Sequence, residues 1–367
     1  MTQPRTVFRF RRSALLAGAL ATALGFGAAE IAAREIAPAT WPQTRALAHE
    51  RDDHGAAAYA ALTAPASGPR VIIIGGSAAR EGLPPPALLS GAFADALGAD
   101  EVFAQSLATF DQTLSETARL VGALPLDGDA TLVLTVNPRR LSHGEASFDA
   151  ELSASRLALA PRGGLCGVVH APLDRRCAQP RSRLLELKLF VSNMLTSRLR
   201  GDVREGLEAA QRVACGVRCV AAFARRDWLR PVSRYIRFAY PPEPLADDAK
   251  DAIAARIPIE RTPEYQANAD FAEGLLVDII TYAQQRGATV LLADLPRESR
   301  SRAGYAAIAD DYEERMARIA EETGATYLDW SAHPAFPDEA FYDLDHLLPP
   351  WRSTLAEALS AALAEIR

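Results

Sequence analysis

The stretch Arg70-Val-Ile-Ile-Ile-Gly-Gly-Ser77 decides the fold. Its apolar residues run without alternation, so both faces of the strand they form must be covered. That is the condition of a strand inside a parallel sheet, and β-branched valine and isoleucine suit it. The two glycines permit a tight exit. Ser77 then stands beyond the carboxyl end of the strand, where open parallel sheets bind their ligands.

Further strands follow the same pattern at 101–107, 131–136, 288–294 and 325–328. The third is bounded by Asp127-Gly128-Asp129 before it and Pro138 after it, both turn formers. Helical periodicity falls between the strands, over 84–97, 113–124, 265–286, 305–322 and 351–366. Strands alternating with helices of this length predict an α/β fold: a three-layer αβα arrangement around a parallel sheet. The rhythm is interrupted over 142–260, where a helix at 182–199 is the main signal. The expected organisation is therefore a cytoplasmic tip and signal anchor at 1–36, a leading helix and linker at 37–69, and an α/β domain in two parts. Those parts span 70–141 and 261–367, separated by a mostly helical insertion at 142–260.

Composition bounds the function. The chain has 367 residues, 49% hydrophobic and 23% charged, the balance of a globular protein rather than a disordered or fibrous one. A net charge of −6 argues against a dedicated nucleic-acid partner. Only one strongly apolar stretch is present, which excludes a polytopic membrane protein. That stretch, Ala14 to Ala29, follows Arg5, Arg9, Arg11 and Arg12 and stops at Glu30. A basic segment before an apolar one is the export arrangement. An uncleaved anchor is the preferred reading, with Ile31-Ala32-Ala33 extending it, and a signal cleaved near Gly27-Ala28-Ala29 is the alternative. Both place the remaining chain outside the cytoplasm. The expectation is a single-pass protein of a bacterial inner membrane with its main domain in the periplasm.

The four cysteines, Cys166, Cys177, Cys215 and Cys219, fit that compartment. Local pairing gives Cys166–Cys177 and Cys215–Cys219, although four cysteines allow three connectivities. Free thiols and a zinc site are the alternatives. Zinc is disfavoured because neither pair has CxxC spacing and only His170 lies near. From Arg139 to Arg237 there are 19 Lys/Arg against 9 Asp/Glu. Solvated helix faces account for such a run. The sharper reading is a basic surface for an anionic partner, such as phospholipid head groups or an acidic polysaccharide.

Two motifs carry chemistry. In Ile74-Gly75-Gly76-Ser77 the serine is placed for catalysis, or else serves as an ordinary N-cap in a turn. It is neither a Walker loop nor a full GxGxxG site. In Phe341-Tyr-Asp-Leu-Asp-His346-Leu-Leu-Pro-Pro, Asp343 precedes His346 by three residues. A short turn lets Asp343 orient the imidazole while His346 takes a serine proton. The competing reading is a solvated loop, and Asp345 is the rival orienting residue. Among other candidates, His49 and His54 sit on a polar helix, and His143 and His170 lack a carboxylate at motif spacing. His333 is close enough in sequence to line the same cleft, and Arg80 faces solvent or cleft. Asp294 and Asp329 end strands at the productive edge, where loop capping is their commoner role.

Taken together, Ser77 after the first strand and Asp343-x-x-His346 before the final helix resemble the SGNH (GDSL-like) hydrolase superfamily. The likeness covers about 70–141 and 265–367, and its anchored layout resembles envelope members that act in polysaccharide O-acetylation and teichoic-acid D-alanylation. It implies a flavodoxin-like sheet, no cofactor and no metal. It also implies Ser77 as nucleophile, His346 as base and Asp343 as its partner. The oxyanion hole would take the Ser77 N–H, an N–H from Ala108 or Thr109, and the Asn137 side chain. The block Gln105-Ser-Leu-Ala-Thr-Phe-Asp111 departs from the family, since it lacks the usual glycine. The implied activity is a serine esterase or O-acyltransferase acting on an acylated glycan, partnered by a membrane-bound O-acyltransferase. A catalytically weak or inactive scaffold of an envelope complex is the alternative.

Overall fold

A computed structural model of the chain describes residues 20–29, 31, 68–109, 111–126, 128–154, 162–170, 173–177 and 243–366. Five strands form one sheet: β1 (Arg70–Ile74), β2 (Phe103–Ser106), β3 (Ala130–Val136), β4 (Thr289–Asp294) and β5 (Thr326–Asp329). Their order is β2-β1-β3-β4-β5 and every pairing is parallel. The chain steps from β1 to one side and then returns to the other. β1 and β3 therefore flank the point where connection direction reverses, which opens a crevice at their carboxyl ends.

The two-residue period of a strand divides β1 between two cores. Ile72 and Ile74 join Leu132, Leu134, Leu292 and the helices of one face, while Val71 and Ile73 join Val133, Leu291 and Ala293 on the other. The first face is covered by α3 (Leu114–Val121), α8 (Thr262–Gln285) and α10 (Ala309–Thr323). The second is covered by α2 (Pro86–Leu97) and α11 (Arg352–Glu365) through Leu89, Phe93, Leu355 and Leu359. Local chemistry sets the helix ends. Thr113 and Glu116 close a capping box at α3, and Gly98 and Gly324 end α2 and α10 at φ 58 and 69.

The helix expected over 84–97 is present as α2, and a short helix precedes it. Ser77–Gly82 forms a short α1, and the chain is then extended at Leu83 before α2 begins. Pro84 imposes this, because a residue preceding proline is driven out of the helical region.

The interruption is partly built into the main core. α4 (Glu145–Ala154) and α5 (Arg162–Val168) bury Phe148, Leu152, Leu165 and Val168 in the cluster that holds α3 and α8. α3 and α5 pack closely because a Cβ at Gly122 would lie 1.9 Å from the Gly164 carbonyl oxygen. A disulfide joins Cys166 in α5 to Cys177 at the end of α6 (Asp174–Cys177). α7 (Asp247–Ala254) and α9 (Ser299–Gly304) pack together beyond the sheet edge. The Cys215–Cys219 pairing, the helices expected over 41–62 and 182–199, His49, His54 and most of the basic stretch lie outside the described residues. Among the described residues no helix is long and apolar enough to cross a membrane.

Candidate active site

Ser77 owes its position to the glycines before it. A Cβ on Gly75 would sit 1.7 Å from Thr135 Oγ1 in the neighbouring strand, so no side chain is tolerated there. Gly76 is the extended N-cap of α1, and Ser77 is the first helical residue, partly buried. The N-capping reading of Ser77 is therefore displaced: the cap position belongs to Gly76.

Asp343 and His346 meet within one turn. His346 Nδ1 lies 2.9 and 2.8 Å from the two carboxylate oxygens of Asp343. Oδ1 also accepts the backbone N–H groups of Asp345 and His346, each at 3.0 Å. Asp345 turns away and accepts from Ser301 Oγ at 2.7 Å, so it is not the orienting carboxylate. With Nδ1 donating to Asp343, the neutral ring carries its lone pair on Nε2, as a general base requires.

The electrostatics follow from these contacts. Burial alone lowers the His346 pKa, but the charge and hydrogen bond of Asp343, with smaller help from Asp345 and Glu81, raise it above the usual 6.5. Burial alone raises the Asp343 pKa, and the His346 charge, the ring hydrogen bond and the two backbone donors bring it below 3.8. The loop itself is pinned. Tyr342 N–H donates to the His346 carbonyl at 2.8 Å and Leu348 N–H to the Ala340 carbonyl at 2.8 Å. Lys250 Nζ in α7 donates to the Phe341 carbonyl at 3.2 Å and pairs with buried Glu298.

This loop rests on the helix that Ser77 begins. Leu347 reaches within 3.5 Å of the Cβ position at Gly82, and Arg352 Nε donates to the Glu81 carbonyl at 2.6 Å. Glu81 is fully buried and contributes to the His346 pKa. Ser77 and Glu81 are four residues apart, so they share one face of α1. Sequence reasoning passed over Glu81. The Ser77-x-x-x-Glu81 spacing was the available signal, but nothing local marked the glutamate as buried.

The oxyanion donors are less complete. Thr109 N–H is committed to the Gly75 carbonyl at 2.9 Å, continuing the β1–β2 ladder, which removes it as a donor. Ala108 N–H makes only a 3.5 Å contact with Ser106 Oγ. Asn137 Oδ1 accepts the Arg140 N–H at 2.9 Å, which directs its NH2 group away from that turn.

The remaining candidates have structural partners. His143 is half-buried with its pKa lowered to about 4, mainly by desolvation and only partly offset by Asp111. His170 pairs with Asp278 at 2.9 Å, and His333 Nδ1 accepts the Ala335 N–H while its ring meets Trp330 and Phe336. Arg80 donates to Glu81 at 2.7 Å. Asp329 is exposed, whereas Asp294 is buried against Arg297. Within the basic stretch, Arg139 pairs with Asp111, Arg140 is buried on the Thr135 carbonyl, and Arg176 pairs with Glu145 and Asp149. Among the described residues no cluster of His, Cys, Asp or Glu is arranged to hold a metal ion. Comparison with protein-family models finds no match for this chain, and comparison with curated proteins finds none either.

Proposed function

We propose that the protein is an extracytoplasmic, SGNH-like serine esterase or O-acyltransferase acting on acyl esters of a cell-envelope polysaccharide. The observation that carries this reading is the Asp343–His346 pair on a loop packed against the helix begun by Ser77. Ser77 Oγ attacks the ester carbonyl and its proton passes to His346 Nε2. The imidazolium, held by Asp343, returns the proton to the departing alkoxide, leaving acyl-Ser77. Water or a glycan hydroxyl then takes the acyl group by the reverse sequence. The outcome depends on whether the site excludes water. The basic segment before Ala14, and the exposed Leu20, Leu24 and Phe26 of the helical stretch 20–29, support membrane anchoring. A membrane-bound O-acyltransferase is the natural partner for such a protein.

A second reading, a catalytically weak or inactive scaffold, is favoured by the oxyanion loop. Thr109 N–H is already spent in the ladder and no glycine eases the approach of Ala108. Loss of one such donor costs roughly 2.7–4 kcal/mol of transition-state stabilisation. Labelling of the full chain with a serine-directed fluorophosphonate separates the two. An active site is expected to label, and Ser77→Ala and His346→Ala are expected to abolish labelling. A folded wild-type protein that does not label would transfer the weight to the scaffold.

A further inference from the structure

Beyond the dyad, the carboxyl ends of β3, β4 and β5 enclose a separate cavity of about 100 Å³. Asp294, Arg297, Tyr305, Tyr312 and Tyr327 line it, with Asp329 and Glu313 at its exposed rim. Its polar groups are far from satisfied. Asp294 is 1% exposed and receives Arg297 Nη2 on Oδ2 at 2.8 Å, but its Oδ1 has no hydrogen-bond partner among the described residues. Arg297 is 8% exposed, and its Nε and Nη1 are likewise without acceptors. The Tyr312 hydroxyl lies beside Asp294 and the Tyr327 hydroxyl and interacts with both, but in neither contact does it reach well-formed hydrogen-bond geometry. Buried polar atoms are rarely left this way, because each costs about 1–3 kcal/mol. A group of them facing one cavity marks a place where a polar ligand completes the set.

The chemistry of the wall selects the ligand. Two arginines, Arg297 and Arg302, face three carboxyl groups, Asp294, Asp329 and Glu313, so the wall offers no net positive charge to a phosphate or carboxylate. What remains is a fixed fork: an acceptor on Asp294, two donors on Arg297, and phenols able to do either. A neutral ring bearing neighbouring hydroxyls matches it, with one hydroxyl donating to Asp294 and the next accepting from Arg297. Tyrosine rings supply the apolar wall that the CH face of such a ring needs. The space exceeds several waters and admits the hydroxylated edge of a ring.

We infer that this cavity is a binding subsite for one neutral sugar residue of the glycan. The inference takes its substrate class from the acyl-glycan reading above. The position suits it: β4 lies two strands from β1, about 10 Å along the sheet edge, so a sugar here would place a neighbouring unit of the same chain toward Ser77. The two places are also mechanically joined, since Glu298, next to Arg297, donates its N–H to the Leu344 carbonyl at 3.0 Å.

The test uses the full chain, titrated by ligand-observed NMR with the methyl glycosides of glucose, galactose and mannose, and with acetate and inorganic phosphate in parallel. At least one neutral glycoside is expected to bind saturably. Asp294→Asn and Tyr312→Phe, folded as judged by circular dichroism, are each expected to weaken that binding by about tenfold or more. Absence of glycoside binding, glycoside binding untouched by both variants, or binding of the anions alone would each overturn the inference. Fluorophosphonate labelling of the same variants keeps the two proposals apart. Labelled variants of a protein that binds no glycoside would sink the subsite alone. Glycoside binding by a protein that never labels would sustain the subsite and sink the serine mechanism.

Discussion

Two carboxylates at the same sheet edge, Asp343 and Asp294, have been treated in opposite ways by the fold. Asp343 is met by a histidine ring and two backbone N–H groups, and its pKa falls below 3.8. Asp294 has one well-formed hydrogen bond, from Arg297, with the Tyr312 hydroxyl nearby. Burial, only partly offset by Arg297, pushes its pKa up to about 7. Burial separates them in part, since the Asp294 side chain is 1% exposed and that of Asp343 21%. The number of donors adds to the difference: each hydrogen bond to the charged form lowers its energy, and a buried carboxylate short of donors keeps its proton. A permanently charged Asp343 suits a residue that steadies an imidazolium. An under-satisfied Asp294 suits a residue that awaits a ligand.

The comparison can be broken most sharply at Asp343. Replacing it with Asn leaves the shape but removes the charge, and should slow fluorophosphonate labelling by roughly 10³–10⁴-fold. The pH dependence supplies the sign. His346 must be neutral to accept the serine proton and its pKa lies above 6.5, so wild-type labelling should fall as pH drops through that value. In Asp343→Asn the largest influence raising the pKa is gone, and the midpoint of the residual labelling should move to lower pH. A midpoint that stays put would mean that Asp343 does not set the imidazole charge.

The second break is on the pocket side. Arg297→Met strands the Asp294 carboxylate, and loss of one partner of a buried ion pair costs about 3–5 kcal/mol. Because the folded pKa of Asp294 is raised from 3.8 to about 7, its neutral form favours folding. That contribution is complete below pH 3.8 and is lost as pH rises through the folded pKa. Removing Arg297 raises that pKa further, so the loss of stability should be larger at pH 8 than at pH 5. Thermal unfolding at the two pH values measures it, and equal losses would contradict the assignment of Asp294 as under-satisfied.

The smallest expected effect sharpens the comparison. Ser301 Oγ holds Asp345, whose charge raises the pKa of both His346 and Asp294. Ser301→Ala should cost about 0.5–1.5 kcal/mol in thermal unfolding. It should also shift the labelling midpoint slightly while leaving maximal labelling intact. Loss of labelling would instead make Ser301 a structural keystone of the dyad loop.

Legibility in the sequence followed the range of the interactions. The β-branched runs at β1, β3 and β4 needed only their own residues to be recognised. So did the Asp343-x-x-His346 turn, because a pair three residues apart closes within one loop. The Cys166–Cys177 link was readable for the same reason. Across the interruption, Phe148 and Leu165 carried no regular strand rhythm, and only packing against α3 and α8 reveals them as core. The loss of Thr109 as a donor was invisible for a related reason, since its N–H is taken by a carbonyl from another strand.

The sequence by itself determined the parallel sheet, the placing of Ser77 at a strand end and the pairing of Asp343 with His346. These rest on backbone preferences and on contacts within a few residues. Tertiary structure alone decided that Glu81 lies buried near His346, and that Asp294, Arg297, Tyr312 and Tyr327 share a cavity. Burial is the physical reason: the energy of a charge or a hydroxyl depends on which distant groups replace its water. The order of residues along a chain does not say which groups those will be.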